Sequence, residues 1–242
     1  MSHRPRLLDL FCGAGGAAAG YHQAGFSVVG IDINPQPNFP FEFMQADALK
    51  VLASFGEGRW SLVWSPTENR GRFLGLGQFD AIHASPPCQD YSKAMRHLSG
   101  DYPRLIDPVR DLLIQSGLPW VIENVVGAPI PTQSTLDGRH GVELCGSMFS
   151  LRVYRHRLFE TSFGISAPRS CDHRILAMNP HNQAGRDRIY EEFGKQNPEP
   201  IWCAEMGVPW MTKEEGREAI PPVFTEFIGH QLLAQIGATV GC

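Results

Sequence analysis

The stretch Asp9-Leu10-Phe11-Cys12-Gly13-Ala14-Gly15-Gly16 decides the fold, because it joins a short apolar run to an alanine-rich segment through a glycine-rich turn. Leu7 to Phe11 is typical of a buried strand, and Ala17 to Ala24, which Gly25 ends, is typical of a helix. Glycines in such a turn let the backbone approach a ligand closely. The stretch therefore predicts the strand, turn and helix that open an α/β protein.

Further apolar runs predict the rest of a buried sheet. They lie at Phe26 to Ile31, Phe41 to Gln45, Phe79 to Ala84 and Trp120 to Ile122. Polar residues follow each run, and the carboxyl ends of parallel strands share one rim of a sheet, where open α/β folds bind ligands. We therefore expect an α/β fold with a mostly parallel sheet, and functional side chains along that rim.

Two segments interrupt this alternation. Phe55 to Gln78 contains many turn residues and is predicted to be an inserted loop, in which Arg59, Arg70 and Arg72 are candidates for a phosphate contact. Thr161 to Met211 is polar and weakly periodic, which favours a small second domain.

The composition limits the protein classes. The 242 residues are 43% hydrophobic and 19% charged, which is typical of a globular protein and not of a disordered one. Apolar stretches are shorter than the roughly 18 residues of a membrane span, and the N-terminus carries no signal-peptide core. Six cysteines without a C-x-x-C pair indicate reduced thiols. We expect a cytoplasmic protein without a membrane segment.

The charge pattern argues against nonspecific coating of nucleic acid but leaves room for a local basic surface. The whole chain has a net charge of -4, whereas residues 139–188 contain eight arginines, no lysine and four acids. Arginine without lysine favours bidentate recognition of phosphates or bases, and a solvated basic face is equally compatible with the pattern.

Two motifs on the predicted rim carry candidate chemistry. Ser85-Pro86-Pro87-Cys88-Gln89 follows a strand, so Cys88 would face the same crevice as the glycine turn; a strand-end thiol can act as a nucleophile, although a lone cysteine is more often structural. Glu123-Asn124-Val125 follows the next strand, where burial would favour the protonated carboxyl; the alternative is a helix cap.

A third motif, Arg155-His156-Arg157, alternates along a predicted strand from Val153 to Phe159. Both arginines would then lie on one face. Two guanidinium groups there could hold a phosphate or a base carbonyl, or could form a salt-bridge pair.

In this order, the four motifs resemble the DNA cytosine-5 methyltransferases, in particular compact phage-encoded members. The resemblance adds Ala219-Ile220-Pro221-Pro222 ahead of Phe227-Ile228-Gly229 and covers about residues 7–160 and 216–236. It implies a Rossmann-like, S-adenosylmethionine-dependent catalytic domain at 1–160, a small target-recognition domain at 161–211, and a C-terminal segment at 212–242 that rejoins the catalytic domain. It also implies double-stranded DNA as the substrate, with a restriction partner left open, and we expect a monomer.

The resemblance implies roles for individual residues. Cys88 would add to cytosine C6, Glu123 would donate to N3, Arg155 would hold the O2 edge and Arg157 would support it. The target base would be flipped out of the duplex, with Asp90 to Leu98 as a lid. Residues implied to contact S-adenosylmethionine are Phe11, Gly13, Gly16, Asp32, Ile33, Asp47 and Pro87.

Three features depart from the family pattern. Val153 replaces the usual glutamine before R-x-R, Arg217-Glu218 replaces the usual Gly-Asn, and the 51 residues from Thr161 to Met211 are few for a recognition region. The first two keep a noncatalytic DNA-binding relative open, and an altered methyl donor is compatible with Glu218. An RNA cytosine methyltransferase and a nicotinamide oxidoreductase are further alternatives.

Zinc binding is the remaining possibility that the sequence raises. Cys171, His173, His181 and Cys203 lie in the predicted small domain, but their spacing is irregular and lacks a C-x-x-C knuckle. We therefore predict no metal site.

Overall fold

A single mixed sheet organises the molecule. The computed structural model describes residues 4–65, 70–87, 104–173 and 203–240, and within these ranges nine strands pair in the order β5-β4-β3-β2-β1-β6-β7-β9-β8. The strands are β1 (Arg6–Leu10), β2 (Ser27–Asp32), β3 (Glu42–Gln45), β4 (Ser61–Ser65), β5 (Arg70–Leu74), β6 (Ala81–Ala84), β7 (Trp120–Asn124), β8 (His140–Leu144) and β9 (Arg157–Thr161). The helices are α1 (Gly16–Ala24), α2 (Ala48–Gly56), α3 (Ile106–Ser116), α4 (Lys213–Glu218) and α5 (Pro222–Val240).

The central strands confirm the predicted parallel sheet. β3, β2, β1, β6 and β7 are parallel neighbours, and β9 and β8 extend the sheet as antiparallel strands. β1 lies between β2 and β6, so the chain leaves it toward one side of the sheet and later returns to the other. Ligands bind at such a switch point in open α/β sheets, outside the carboxyl ends of the strands.

Helices cover both faces of the sheet. Successive strand residues such as Leu7 and Leu8 are fully buried in two different apolar clusters, one containing residues of α1 and α5 and the other residues of α2 and α3. α1 and α5 approach closely, because a Cβ on Gly20 would lie 2.0 Å from the carbonyl oxygen of Pro222. Among the described residues, no helix is long and apolar enough to cross a bilayer.

The predicted loop from Phe55 to Gln78 is wrong for its described residues. α2 ends at Gly56, and β4 and β5 then form an antiparallel hairpin that pairs with β3 at the sheet edge. Leu62 and Trp64 are exposed on β4, where Val63 is buried, so this strand has one exposed face and one buried face. Turn residues flank this short alternation of buried and exposed side chains, so the sequence pattern did not indicate strands there.

The predicted strand from Val153 to Phe159 also differs, because β9 begins only at Arg157 and runs to Thr161. Arg155 therefore lies in the irregular segment before the strand. The two arginines are not presented together by a pleated strand.

The described ends of the predicted recognition region pack on the sheet domain. Thr161 ends β9, and Met206, Val208 and Met211 share a buried cluster with Ala14 and other residues. Residues 174–202 lie outside the described part of the chain, so the division into domains stays a prediction.

Candidate active site

The turn after β1 is fastened to the end of β2 by one carboxylate. The backbone N–H of Gly13 donates to Asp32 Oδ2 at 3.0 Å, and that of Asn34 donates to Oδ1 at 2.9 Å. Gly13 has φ +49 and Gly15 has φ +89, a region that glycine adopts without strain. No heavy atom of the described residues lies within 4 Å of a Cβ built on Gly13, so this part of the turn borders open space.

The predicted donor-contact residues near this turn occupy different environments. Ile33 is 65% exposed directly after Asp32, which leaves an apolar surface beside a carboxylate. Asp47 caps α2 by accepting from the Lys50 N–H at 3.2 Å. Gly16 has a packing role, because a Cβ there would lie 2.5 Å from the Ile220 carbonyl oxygen.

Glu123 is a buried carboxyl at the end of β7. It is 5% exposed, and its Oε1 lies 3.0 Å from Arg157 Nε. Burial raises the pKa of Glu123, while the charge of Arg157, a hydrogen bond from Ser85 and the charge of Arg155 oppose the rise. The protonated form is therefore favoured relative to an ordinary glutamate, as the sequence predicted from burial.

A chain of buried side chains leads to Glu123 through Ser85. Tyr21 Oη lies 3.0 Å from His83 Nδ1, and His83 Nε2 lies 2.8 Å from Ser85 Oγ. Burial lowers the pKa of His83 to about 3, so the ring is neutral and carries one N–H. Since Ser85 donates to Glu123, the consistent arrangement has Nε2–H donating to Ser85 and Tyr21 donating to Nδ1. Sequence reasoning missed this chain, because His83 stands inside an apolar strand.

Asn124 connects β7 to the loop that leaves β6. Its Nδ2 donates to the Pro86 carbonyl oxygen at 2.8 Å, and the residue is 1% exposed. Pro87 is half-buried, and Cys88 is the next residue. Cys88 and the predicted lid from Asp90 to Leu98 lie outside the described residues. Asn124 thus restrains the backbone two residues before the candidate nucleophile. The E-N-V motif includes this asparagine, but the sequence pattern alone did not predict its role.

The two arginines of R-H-R have different environments. Arg157 faces Glu123, whereas Arg155 is fully buried and its Nη2 donates to the Arg217 carbonyl oxygen at 2.5 Å. The Arg217 carbonyl of the unusual Arg217-Glu218 pair therefore accepts a hydrogen bond inside the protein, although the Glu218 side chain is exposed. Val153 is fully buried in an apolar cluster with Ala14 and Ala219, where a larger polar side chain would need partners.

Asp9 is a further buried carboxyl, in β1 just before the glycine turn. It is fully buried, and neither side-chain oxygen has a hydrogen-bond partner within the described ranges. Burial, followed by the charges of Asp32 and Glu123, raises the pKa of Asp9 well above its ordinary value. The protein therefore favours a neutral Asp9 under the glycine turn.

The arginine-rich window is largely engaged within the fold in its described part. Arg139 pairs with Glu160 and Asp137, Arg152 pairs with Glu205, and Arg169 donates to backbone carbonyls at the turn after β8. The last three arginines of the window lie outside the described residues. The described ones have structural contacts that account for much of the pattern.

The cysteine and histidine residues considered for zinc separate in the structure. Cys171 and His173 converge, but with Cys145 and His156 of the sheet domain. Cys203 is buried in the apolar cluster around Val153, and His181 lies outside the described residues. The sequence-based set therefore combined two convergent residues with one from elsewhere.

A family model described as "C-5 cytosine-specific DNA methylase" matches residues 5–110, which include the glycine turn and the P-P-C-Q motif. The match covers a little less than half of the chain and confirms the resemblance to this family that the motifs predict. The glycine turn, the start of P-P-C-Q and E-N-V lie at the carboxyl ends of β1, β6 and β7.

Two curated methyltransferases are similar to this chain. Type II methyltransferase M.AquIA of Picosynechococcus sp. is 23% identical over 242 aligned residues, covering 90% of this chain and 89% of the relative. Type II methyltransferase M.AgeI of Thalassovita gelatinovora is 29% identical over 133 residues, covering 50% of this chain and 28% of the relative. This chain thus spans nearly all of the first relative and about a quarter of the second.

Two solved structures match part of this chain. A DNA modification methyltransferase encoded within an E. coli prophage matches with a TM-score of 0.44 and 19% identity, over 65% of this chain and 46% of that one. Dnmt2 of Spodoptera frugiperda matches with a TM-score of 0.40 and 20% identity, over 65% and 49%. This chain spans about half the length of these solved chains.

Proposed function

We propose that this chain transfers a methyl group to C5 of a cytosine in double-stranded DNA, with Cys88 as the nucleophile. The observation that carries the proposal is the buried carboxyl of Glu123, whose pKa burial raises and which lies next to the restrained loop that leads to Cys88. The match of residues 5–110 to the C-5 cytosine-specific DNA methylase family supports the reaction class.

A thiol and an acid are the groups that this reaction requires. Cytosine C5 is a poor nucleophile, so the Cys88 thiolate would add to C6, and the ring electrons displaced by this addition would make C5 nucleophilic. After C5 is methylated, loss of its proton and expulsion of the thiolate would restore the aromatic ring. The net exchange is one methyl group for one proton at C5.

Glu123 would hold its proton toward N3 of the base. A neutral carboxyl donates a hydrogen bond there and offsets the charge that develops on the ring as the thiolate adds. Ser85, held by His83, would keep the carboxyl oriented from the protein side.

The contacts of the two arginines favour an exchange of the roles that the resemblance implied. Arg157 lies against Glu123 at the site, so we assign the O2 edge of the base to Arg157. Arg155 is fully buried and donates to the backbone before Ala219, so we assign it to hold the closing segment against the site.

S-adenosylmethionine is the methyl donor that we propose, and when bound it would supply an electrophilic methyl sulfonium. The residues fit such a group: the Gly13 position borders open space, Asp32 offers carboxylate oxygens, and exposed Ile33 offers an apolar surface to an adenine. The proposed contacts are those of Phe11, Gly13, Gly16, Asp32, Ile33, Asp47 and Pro87.

The target cytosine must leave the base stack before it can react, because C6 is inaccessible inside a duplex. We propose base flipping into the crevice between the glycine turn and Glu123. We also propose that residues 161–211 recognise the target DNA sequence. The chain would act as a monomer and in the cytoplasm.

The test is to express the chain in a host that lacks cytosine methylation and to measure 5-methyldeoxycytidine in its DNA by mass spectrometry. Cys88→Ser, with donor binding checked by calorimetry, is the matched control. We expect 5-methylcytosine only with the unmodified chain, and sequencing of the same DNA would give the target site. Absence of modified base in DNA while tRNA becomes methylated would replace the DNA substrate with RNA, and unchanged activity of Cys88→Ser would refute the nucleophile.

A further inference from the structure

We propose that Cys145, His156, Cys171 and His173 bind a zinc ion that fastens the R-H-R segment to the chain leaving β9. The four candidate ligand atoms lie within 4.8 Å of one another, although the residues are spread over 29 positions of the sequence. No part of the proposed methyl transfer uses them, so the inference is independent of that reaction.

The distances between the ligand atoms fit a tetrahedral site. His173 Nε2 lies 2.9 Å from Cys171 Sγ and 3.3 Å from Cys145 Sγ, and His156 Nε2 lies 3.5 Å from Cys171 Sγ. Zinc bonds of about 2.3 Å to sulfur and about 2.0 Å to nitrogen place tetrahedral sulfur and nitrogen ligands about 3.5 Å apart. The atoms are therefore near the spacing at which one ion could contact all four.

The first two ligands are brought together by the turn between β8 and β9. Cys145 follows β8 directly, and a Cβ on Gly146 would lie 1.8 Å from the Val153 carbonyl oxygen, so only glycine permits this close approach. The Gly146 N–H donates to the Tyr154 carbonyl oxygen at 2.9 Å. His156 lies two residues beyond Tyr154 and thus reaches the thiol of Cys145.

The other two ligands are held over that turn by contacts that need no metal. Arg169 Nε donates to the Met148 carbonyl oxygen at 2.6 Å, and the Asp172 N–H donates to Ser147 Oγ at 3.2 Å. The Tyr154 ring stacks on His173, with ring centroids 4.0 Å apart. The site is thus partly formed by the protein before an ion binds.

The donor set selects the metal class. Two thiolates and two imidazoles in a closed, four-ligand arrangement are typical of structural zinc, whereas magnesium and calcium prefer oxygen ligands. Binding would deprotonate the thiols. The Glu143 carboxylate lies 3.8 Å from His156 Nε2 and adds negative charge beside the proposed cation.

The position of His156 gives the proposed zinc a consequence for the rest of the protein. It stands between Arg155 and Arg157, which contact the Arg217 carbonyl and Glu123 respectively. A metal bond at His156 would restrain the backbone that carries both guanidinium groups. The same ion would anchor Cys171 and His173, immediately before the part of the predicted recognition region that lies outside the described residues.

The experiment measures metal in the full chain, purified without added chelator from zinc-supplemented medium. We expect about one zinc per chain by mass spectrometry of the metal. After exchange with Co²⁺, we expect sulfur-to-cobalt charge-transfer absorption and the visible bands of a tetrahedral site. Zinc far below one per chain, together with no tetrahedral cobalt spectrum, would overturn the proposal.

Variants distinguish this site from adventitious binding. Cys171→Ser and His173→Gln alter exposed ligands, and each variant should bind much less zinc. A strong chelator should lower the melting temperature of the unmodified chain but should leave the melting temperature of these two variants nearly unchanged. Cys203→Ser and His230→Gln, which change a cysteine and a histidine elsewhere, should retain both the zinc and the effect of the chelator. Equal zinc content in all four variants would overturn the assignment, as would a Cys145–Cys171 disulfide detected by mass in the freshly purified chain.

Discussion

The two halves of the candidate active site are built by different means. The donor half consists of the turn at residues 11–16 with Asp32 and Ile33, and its geometry comes from glycine conformations and backbone N–H groups. The base half consists of Ser85, Glu123 and Arg157, and its geometry comes from contacts between buried side chains. A turn can be recognised from adjacent residues, whereas a buried cluster depends on which strands become neighbours.

The largest effect is expected in the base half. Glu123→Gln removes the acidic proton while preserving the side-chain volume, and we expect the single-turnover methylation rate to fall by about 10²- to 10³-fold with donor affinity unchanged. In the unmodified chain the rate should also fall as pH rises through the raised pKa of Glu123, because only the protonated form donates. Rapid-quench kinetics across pH would test both, and an unchanged alkaline limb in the variant would contradict the assignment.

A matched pair of substitutions refines this result. Arg157→Lys should lower the single-turnover rate of the folded fraction more than Arg155→Lys, whereas Arg155→Lys should chiefly lower the melting temperature, because Arg155 is the more deeply buried of the two and donates to the Arg217 carbonyl. The opposite order would return the O2 contact to Arg155.

The donor half should respond mainly in binding. Asp32→Ala removes the acceptor for the Gly13 N–H and the proposed acceptor for the donor ribose, and we expect donor affinity to fall by about 10- to 100-fold, since a hydrogen bond to a charged group is worth about 1.5–3 kcal/mol. Calorimetry with S-adenosylmethionine gives the affinity, and saturating donor should restore most of the rate. A large rate defect at saturation would mean that the two halves are not separable.

A smaller effect is expected from the chain that supports Glu123. His83→Leu removes the hydrogen bond to Ser85, and we expect a several-fold slower single turnover and an altered alkaline limb of the pH profile, as a positioning residue should produce. Tyr21→Phe is the control, because it preserves the ring packed on His83 and removes only the distal hydroxyl. Identical pH profiles for His83→Leu and the unmodified chain would make His83 purely structural.

The smallest expected effect concerns stability beneath the two halves. The pKa of Asp9 is raised in the folded chain, so between the unfolded and folded pKa values the folded chain binds more protons, and the free energy of unfolding falls as pH rises. Asparagine at position 9 cannot ionise. The melting temperature of Asp9→Asn minus that of the unmodified chain should therefore be higher at pH 8 than at pH 5. A change of 1 kcal/mol corresponds to about 2–4 °C for a chain of this size.

Calorimetric scans at the two pH values test this prediction, with Asp111→Asn on the exposed face of α3 as the control. If the difference in melting temperature between Asp9→Asn and the unmodified chain did not change with pH, the Asp9 carboxyl would have hydrogen-bond partners in solution, and the prediction would be wrong.

Local patterns in the sequence predicted the central sheet. Apolar runs identified β1, β2, β3, β6 and β7 to within about two residues. β1, β2, β6 and β7 are buried on both faces and are therefore largely apolar, whereas β3 is only partly buried. The β4–β5 hairpin was missed for the converse reason, since a strand with one exposed face alternates over only a few residues between turn signals. The start of β9 was misplaced because an alternating R-H-R pattern cannot show whether its partner strand extends that far.

By itself, the sequence determined the family resemblance, the glycine turn and the candidate groups on the rim, since each is encoded by residues adjacent in the chain. Only the tertiary structure decided that Arg157 pairs with Glu123 while Arg155 donates to the Arg217 carbonyl, that His83 reaches Glu123 through Ser85, and that Cys145 and His156 meet Cys171 and His173. These pairings join segments far apart in sequence. Their distances depend on strand order and close backbone approach, which no local spacing of residues records.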